Sequence, residues 1–236
     1  MLERRLVLAL KDLRAWYGDS QSLHGVNIEV ALGEVVSIMG RNGAGKSTTL
    51  KCIMGLIEKK TGQVMFYDQS IATLSPEKIS RMGLAYCPED RGIYASLNVS
   101  ENLMLPPIVA EGGFTVDEIY SLFPNLLERR SNQGTKLSGG EQQMLAIARI
   151  LRTGAKLILL DEPTEGLAPV IVQKIGEVLR LLKQRGFTII LVEQSFHFVA
   201  QLADKSYIME SGRIVDRFDQ AQIGQNTAKI HAYLGI

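Results

Sequence analysis

Residues 40–47 read GRNGAGKS, set between an apolar run ending EVVSIM and a stretch with helical spacing, TTLKCIMGLI. Gly40-x4-Gly45-Lys46-Ser47 is the phosphate-binding loop pattern, and its physical requirement is a strand before it and a helix after it. Glycines let successive backbone N–H groups close on phosphate oxygens. The expected cradle is therefore Arg41, Asn42, Gly43, Ala44, Gly45, Lys46, Ser47 and Thr48. Lys46 adds a mobile positive charge for the β- and γ-phosphates, and Ser47 offers an oxygen to Mg²⁺.

The segments around this loop alternate in period. LVLALKDLRAWY, VNIEV, EVVSIM and TGQVMFYDQ read as strands, and SPEKISRMG reads as a short helix with Ser75 as cap and Pro76 at its first position. GLAYCPED is a strand running into a loop. Residues 90–136 change character, with Pro106-Pro107 and Gly112-Gly113 breaks around a helical TVDEIYSLFPNLLERR. Beyond residue 152 the alternation resumes: KLILLDEP strand, PVIVQKIGEVLRLLKQRG helix, FTIILVEQ strand, HFVAQLADK helix. SYIMESGRIVDRF is a hairpin turning at Ser211-Gly212, and a last amphipathic helix is expected over 221–234. Strands alternating with helices imply a mostly parallel sheet, with 90–152 as a helical insertion.

LILLDE, at 157–162, is four apolar residues followed by two acids. A strand apolar throughout is buried on both faces, so its terminal acids emerge at the ligand crevice. Asp161 would hold Mg²⁺ through water, and Glu162 would position or deprotonate the attacking water. The alternative is a strand ending in a surface turn.

LSGGEQQ, at 137–143, opens the amphipathic helix MLAIARIL. Ser138 suits a cap and Glu141 suits the positive end of the dipole. Gly139 and Gly140 find no structural motive in the sequence, since each costs about 1 kcal/mol against Ala within a helix. Bare N–H groups at a helix start bind anions. The anion cannot easily be the phosphate already cradled by residues 40–47, so the γ-phosphate of a second, head-to-tail subunit fits best.

Phosphate loop, LSGGE and LLDE in this order resemble the ATP-binding subunits of ATP-binding-cassette (ABC) transporters, over nearly the whole chain. The resemblance implies an α/β fold: a P-loop NTPase core with a mostly parallel sheet, an antiparallel β-subdomain and a helical subdomain. It implies a single ABC ATPase domain over 1–236, and two ATP molecules sandwiched between two such subunits. Ser138, Gly139 and Gly140 would then face the partner's nucleotide. Tyr17 matches the aromatic that stacks on adenine, the alternative being a core tyrosine on a strand. Glu89 falls where most members have a Gln that senses Mg²⁺ and the transport domain, Gln194 where most have a His at the γ-phosphate, and Ala168 where an Asp is usual. The segment 89–94 is expected to form one wall of a groove that receives a short helix of the transport subunit.

Pro88-Glu89, Gly-Leu-Ala-Pro at 166–169 and Val-Glu-Gln before the last helix resemble the smaller ATPase of importers for branched-chain and other hydrophobic amino acids, with urea and short-amide importers close by. That subgroup implies a second, usually paralogous ATPase chain, two membrane-spanning permease subunits and an extracytoplasmic solute-binding protein. The expected place is the cytoplasmic face of the membrane.

The totals set limits. A net charge of +1 gives no reason to expect nucleic acid. Cys52 and Cys87 match no metal or redox spacing and read as buried thiols. His24, His197 and His231 form no ligand pattern. The start, MLERRLVLAL, has an apolar run too short for a signal-peptide core, and no run approaches the roughly 18 residues of a membrane span. A soluble ABC-type ATPase acting on ribosomes or DNA would carry a second cassette or a long coiled coil. A small-molecule kinase would leave LSGGEQQ without a role.

Overall fold

A computed structural model describes residues 5–235; the basic start of the chain, 1–4, lies outside the described residues. The first two strands, β1 (Leu6–Tyr17) and β2 (Ser20–Ala31), form an antiparallel pair, and β3 (Val35–Met39) leads through the phosphate loop into α1 (Lys46–Ile53). Next come β4 (Lys60–Phe66), the short β5 (Gln69–Ser70), α2 (Pro76–Arg81) and β6 (Leu84–Cys87). Four helices follow before the next strand: α3 (Val99–Met104), α4 (Val116–Leu122), α5 (Pro124–Glu128) and α6 (Gly139–Arg152). The chain then runs β7 (Leu157–Asp161), α7 (Pro169–Gln184), β8 (Thr188–Glu193), α8 (Phe196–Ala200), β9 (Lys205–Glu210) and β10 (Arg213–Asp219). It ends in α9 (Gln220–Ile223) and α10 (Thr227–Leu234).

Two sheets result. Strands β2-β1-β4-β5 make a four-stranded antiparallel sheet, and β10-β9-β3-β8-β7-β6 make a six-stranded one, parallel except for β10 at its edge. The parallel strands are apolar on both faces because each face is covered. On β7, Ile158 and Leu160 join a core with the helices α3 to α7, whereas Leu157 and Leu159 join a second core with β1, β2, β4 and α1. β8 divides in the same way, Ile189 and Leu191 against Ile190 and Val192. This register puts the carboxyl ends of β3, β7 and β8 side by side, and the chemistry lies there.

Two helical expectations change. TVDEIYSLFPNLLERR is not one helix: Pro124 has no N–H and disfavours helical backbone at the residue before it. Phe123 accordingly turns out of the helix (φ −129°, ψ 73°) and is fully buried between α4 and α5. The last helix is likewise split by a 3₁₀ turn over Gly224–Asn226, where Gly and Asn are weak helix formers. The cap of α2 is as the sequence implies, Ser75 accepting from Lys78 N with Pro76 at the first position.

Candidate nucleotide site

The phosphate loop is built from below. Gly45 stands at the N-cap of α1 in the left-handed region (φ 106°), and a Cβ there would come 2.9 Å from Leu23 Cδ2. Only glycine combines that backbone with that contact. The turn after β9 holds the loop from behind, Gly212 N donating to Ala44 O at 2.8 Å. The result is a cleft of about 430 Å³ lined by Asn42, Gly43, Gly45, Lys46, Ser47 and Thr48 on one side. Glu89, Glu162, Glu165 and Gln194 line the other.

Lys46 is less mobile than the sequence suggests. Its side chain is buried, with Nζ donating to the carbonyls of Gly40 (3.0 Å) and Arg41 (3.1 Å) and pairing with Glu162 Oε1 at 3.1 Å. The second Glu162 oxygen accepts from Gln194 Nε2 at 2.8 Å. Glu162 also sits at φ 46°, a conformation that costs a non-glycine residue about 1–3 kcal/mol and persists where the surroundings hold it. Its backbone N–H is fixed to Val192 O at 2.9 Å.

Next to it, Ser47 Oγ donates to Asp161 Oδ1 at 2.8 Å. Tyr86 Oη donates to Asp161 Oδ2 at 3.0 Å. Burial pushes the Asp161 carboxyl up, and the two hydroxyl donors oppose it. A hydroxyl and a carboxylate converging at the start of α1 are hard oxygen donors of the kind Mg²⁺ takes, and the open N–H-lined cleft beside them fits a polyphosphate.

The sequence profile described as "ABC transporter" matches residues 23–165, more than half of the chain. The chain belongs to this family. It is an ATPase, ATP hydrolysis being the reaction of the family's nucleotide-binding domain. The high-affinity branched-chain amino acid transport ATP-binding protein BraG of Pseudomonas aeruginosa is 40% identical, over 97% of this chain and 100% of its own length. The lipopolysaccharide export system ATP-binding protein LptB of Haemophilus influenzae is 30% identical over 97% of each chain. A solved ATP-binding subunit of an ABC transporter superposes with a TM-score of 0.80 at 28% identity, over 98% of this chain and 100% of that one.

In this ABC transporter ATPase the LSGGE residues stand apart from the cleft: none of Ser138, Gly139 and Gly140 lines it. Ser138 caps α6 in a reciprocal box, its Oγ accepting from Glu141 N (3.2 Å) while Glu141 Oε2 accepts from Ser138 N (2.8 Å). Gly140 does have a structural motive, contrary to the sequence reading. A Cβ there would meet Ile171 Cγ1 at 2.9 Å, so α6 and α7 approach through it. A Gly140→Asp variant would therefore disturb this packing before any partner is met.

Tyr17 is 51% exposed at the end of β1, its Oη 3.5 Å from Thr48 Oγ1, so it is not a core tyrosine. Ala168, where an Asp is usual, is the N-cap of α7 and offers no side-chain hydrogen bond. A hollow lies between the core and the helical segment, with Pro88, Arg91 and Gly92 facing Pro106, Pro107 and Arg149, and of residues 89–94 only Arg91 and Gly92 line it. Asp90 and Tyr94 do not line it: Asp90 faces a hollow with Lys51 and Asp161, and Tyr94 lies under Arg149, 5.3 Å from ring centroid to guanidinium. Burial pushes both Cys52 and Cys87 thiols up to about 12, so they are protonated structural side chains.

Two contributors were missed in the sequence. Tyr86 holds Asp161, and its signal is a polar tip one residue from the carboxyl end of the strand paired with β7. Glu193 anchors the turn after β7, accepting from Thr164 N (3.1 Å) and Thr164 Oγ1 (2.6 Å). Nothing local marks that pair.

Proposed function

We propose that this chain hydrolyses ATP to drive an importer of branched-chain and other hydrophobic amino acids. The full-length similarity to BraG supports that solute class. One geometric observation carries the hydrolytic part: Glu162 is held between Lys46 and Gln194 directly beside the Ser47–Asp161 pair. Glu162 accepts the proton of the attacking water, and Gln194 donates a hydrogen bond toward the γ-phosphate and that water. Lys46 exchanges its Glu162 contact for phosphate oxygens, which frees one carboxylate oxygen for the water. Ser47 and Asp161 hold Mg²⁺, which when bound neutralises phosphate charge. Backbone N–H groups from Arg41 to Thr48 cradle the phosphates, Tyr17 stacks on adenine, and Glu89 senses the occupied site.

In this reading residues 1–236 are one ABC ATPase domain with 90–152 as its helical subdomain. Ser138, Gly139 and Gly140 act on the nucleotide of a second ATPase chain. Two membrane-spanning permease subunits dock in the groove at Arg91 and Arg149, and an extracytoplasmic binding protein delivers the solute. Peripheral attachment at the cytoplasmic face belongs to the same reading and is supported by the similarity to a transport ATP-binding protein; among the described residues no helix is long and apolar enough to cross a membrane.

The test is uptake of radiolabelled leucine by cells lacking the gene. Wild-type chain restores it and Glu162→Gln does not. Restored uptake of urea or a short amide instead of leucine would reassign the solute. The LptB similarity favours export as the second reading, and a defect in surface lipopolysaccharide with normal leucine uptake would select it.

A further inference from the structure

Helix α10 lies outside the phosphate cleft, yet it touches two loops that build it. The ring of His231 meets Phe196 edge-on, centroids 5.0 Å apart and planes at 87°. Phe196 is the first residue of α8, two residues beyond Gln194. Just past the end of α10, Gly235 lies against Arg41, a Cβ there coming 3.3 Å from Arg41 Cζ. The Arg41 carbonyl is one of the two that hold Lys46 Nζ. One helix therefore contacts both the loop that holds Lys46 and the turn that carries Gln194. Those two side chains occupy the two oxygens of Glu162.

The helix is well seated. Ile230 is fully buried in the larger core, and Lys229 pairs with Asp216 of β10 at 2.6 Å. The turn at Gln194 is pinned upstream, where the Glu193 carboxylate takes Gln194 N at 3.2 Å as well as Thr164. Downstream, Ser195 Oγ caps α8 by accepting from Phe198 N at 3.4 Å, and the ring of Phe196 is the next fixed point. Edge-to-face packing is a directional contact between aromatic rings, so His231 sets where Phe196 sits and a methyl group in its place does not.

We propose that His231 is a positioning residue for hydrolysis, holding the Gln194 carboxamide on Glu162 through the ring of Phe196. The inference rests on the ATPase reading above. His231 is not among the residues that line the cleft, so it acts on the rate of the chemical step and leaves nucleotide binding alone.

The experiment compares full-length wild type, His231→Ala and His231→Phe, each assembled with the second ATPase chain for steady-state ATPase rates and alone for titration with a fluorescent ATP analogue and thermal melting. The Ala variant is expected to lose roughly tenfold in kcat, less than the ~10²-fold of a reacting group moved by about 1 Å. Its KM and analogue affinity should stay within about twofold of wild type. The Phe variant, which restores a ring, should recover most of the rate. An Ala variant as fast as wild type overturns the inference alone. So does one that loses rate, affinity and melting temperature together without recovery in Phe, the pattern of a merely structural residue. An assembled wild-type complex that releases no phosphate from ATP would overturn the ATPase reading itself, and the inference with it.

Discussion

Gln194 illustrates what one side chain decides in this site. A carboxamide has two N–H donors but cannot take up a proton at neutral pH, and here one of the two is given to Glu162 at 2.8 Å. Gln194→Ala should lower the ATPase rate about 10²-fold, the effect of losing one transition-state donor, whereas Gln194→His should change it only modestly. Phosphate release under saturating ATP measures both, and a full-rate Ala variant would remove Gln194 from the γ-phosphate. Tyr86 supplies the second residue-scale prediction. Its hydroxyl opposes the burial that raises the Asp161 carboxyl. Tyr86→Phe removes a donor to the charged form, so the carboxyl rises further and protonates at higher pH. The acid limb of the pH–rate profile should move upward and the Mg²⁺ needed for half-maximal rate should increase several-fold. An unchanged profile would mean that Ser47 alone suffices.

At the scale of elements, α3 and the loop before it depend on one amide. Asn102 is fully buried; its Oδ1 accepts from Tyr94 N (2.9 Å) and its Nδ2 reaches the carbonyls of Tyr94 (3.0 Å), Leu97 (3.0 Å) and Asn98 (3.1 Å). Asn102→Ala leaves the Tyr94 N–H without its acceptor, while the carbonyls of Tyr94, Leu97 and Asn98 each keep a backbone donor; the cost is about 1–3 kcal/mol for an unsatisfied group. The midpoint of urea unfolding should fall accordingly. Ser138→Ala should cost about 1 kcal/mol for the lost cap. If the serine also acts on a partner's nucleotide, the rate in the assembled complex should fall by more than the stability loss accounts for.

At the scale of the molecule, the two sheets and the helical segment are tied by a few buried polar anchors. Arg152 at the end of α6 donates Nε to Leu103 O (3.0 Å) and Nη2 to the carbonyls of Met104 and Pro106, joining α6 to the chain after α3. Glu193 joins the carboxyl ends of β7 and β8. Burial pushes its carboxyl above the usual 4.5, against hydrogen bonds from Thr164 and the following backbone. The folded protein then binds this proton more readily than the unfolded chain. The contribution of this group to stability falls as pH rises from about 4.5 through the raised folded value. The melting temperature of wild type should fall relative to that of Glu193→Gln as the pH rises from mildly acidic to neutral. Parallel curves would mean that the charge of Glu193 carries no pH dependence.

What the sequence determined by itself is what its neighbours along the chain can dictate. Residues 40–47 specify their own turn and the strand and helix around it, because the glycine conformations and the N–H groups are contiguous. LILLDE marks a strand covered on both faces, and Ser75-Pro76 and Ser138…Glu141 specify helix starts from within four residues. The alternation of strands with helices likewise implies the mostly parallel sheet, whereas the antiparallel sheet is implied only by the resemblance to the family. The partners of the reacting groups are another matter. Gln194 lies 32 positions from Glu162 and Tyr86 lies 75 from Asp161, and no local period encodes those pairs. Lys46 reads as a free charge in the sequence and is a buried, paired one in the fold. Gly140 reads as an unexplained cost and is the contact point of α6 with Ile171. Strand order decides these. With β3 between β9 and β8, and β7 between β8 and β6, the ends of separate segments converge on one crevice, and only packing on both faces of that sheet selects the order.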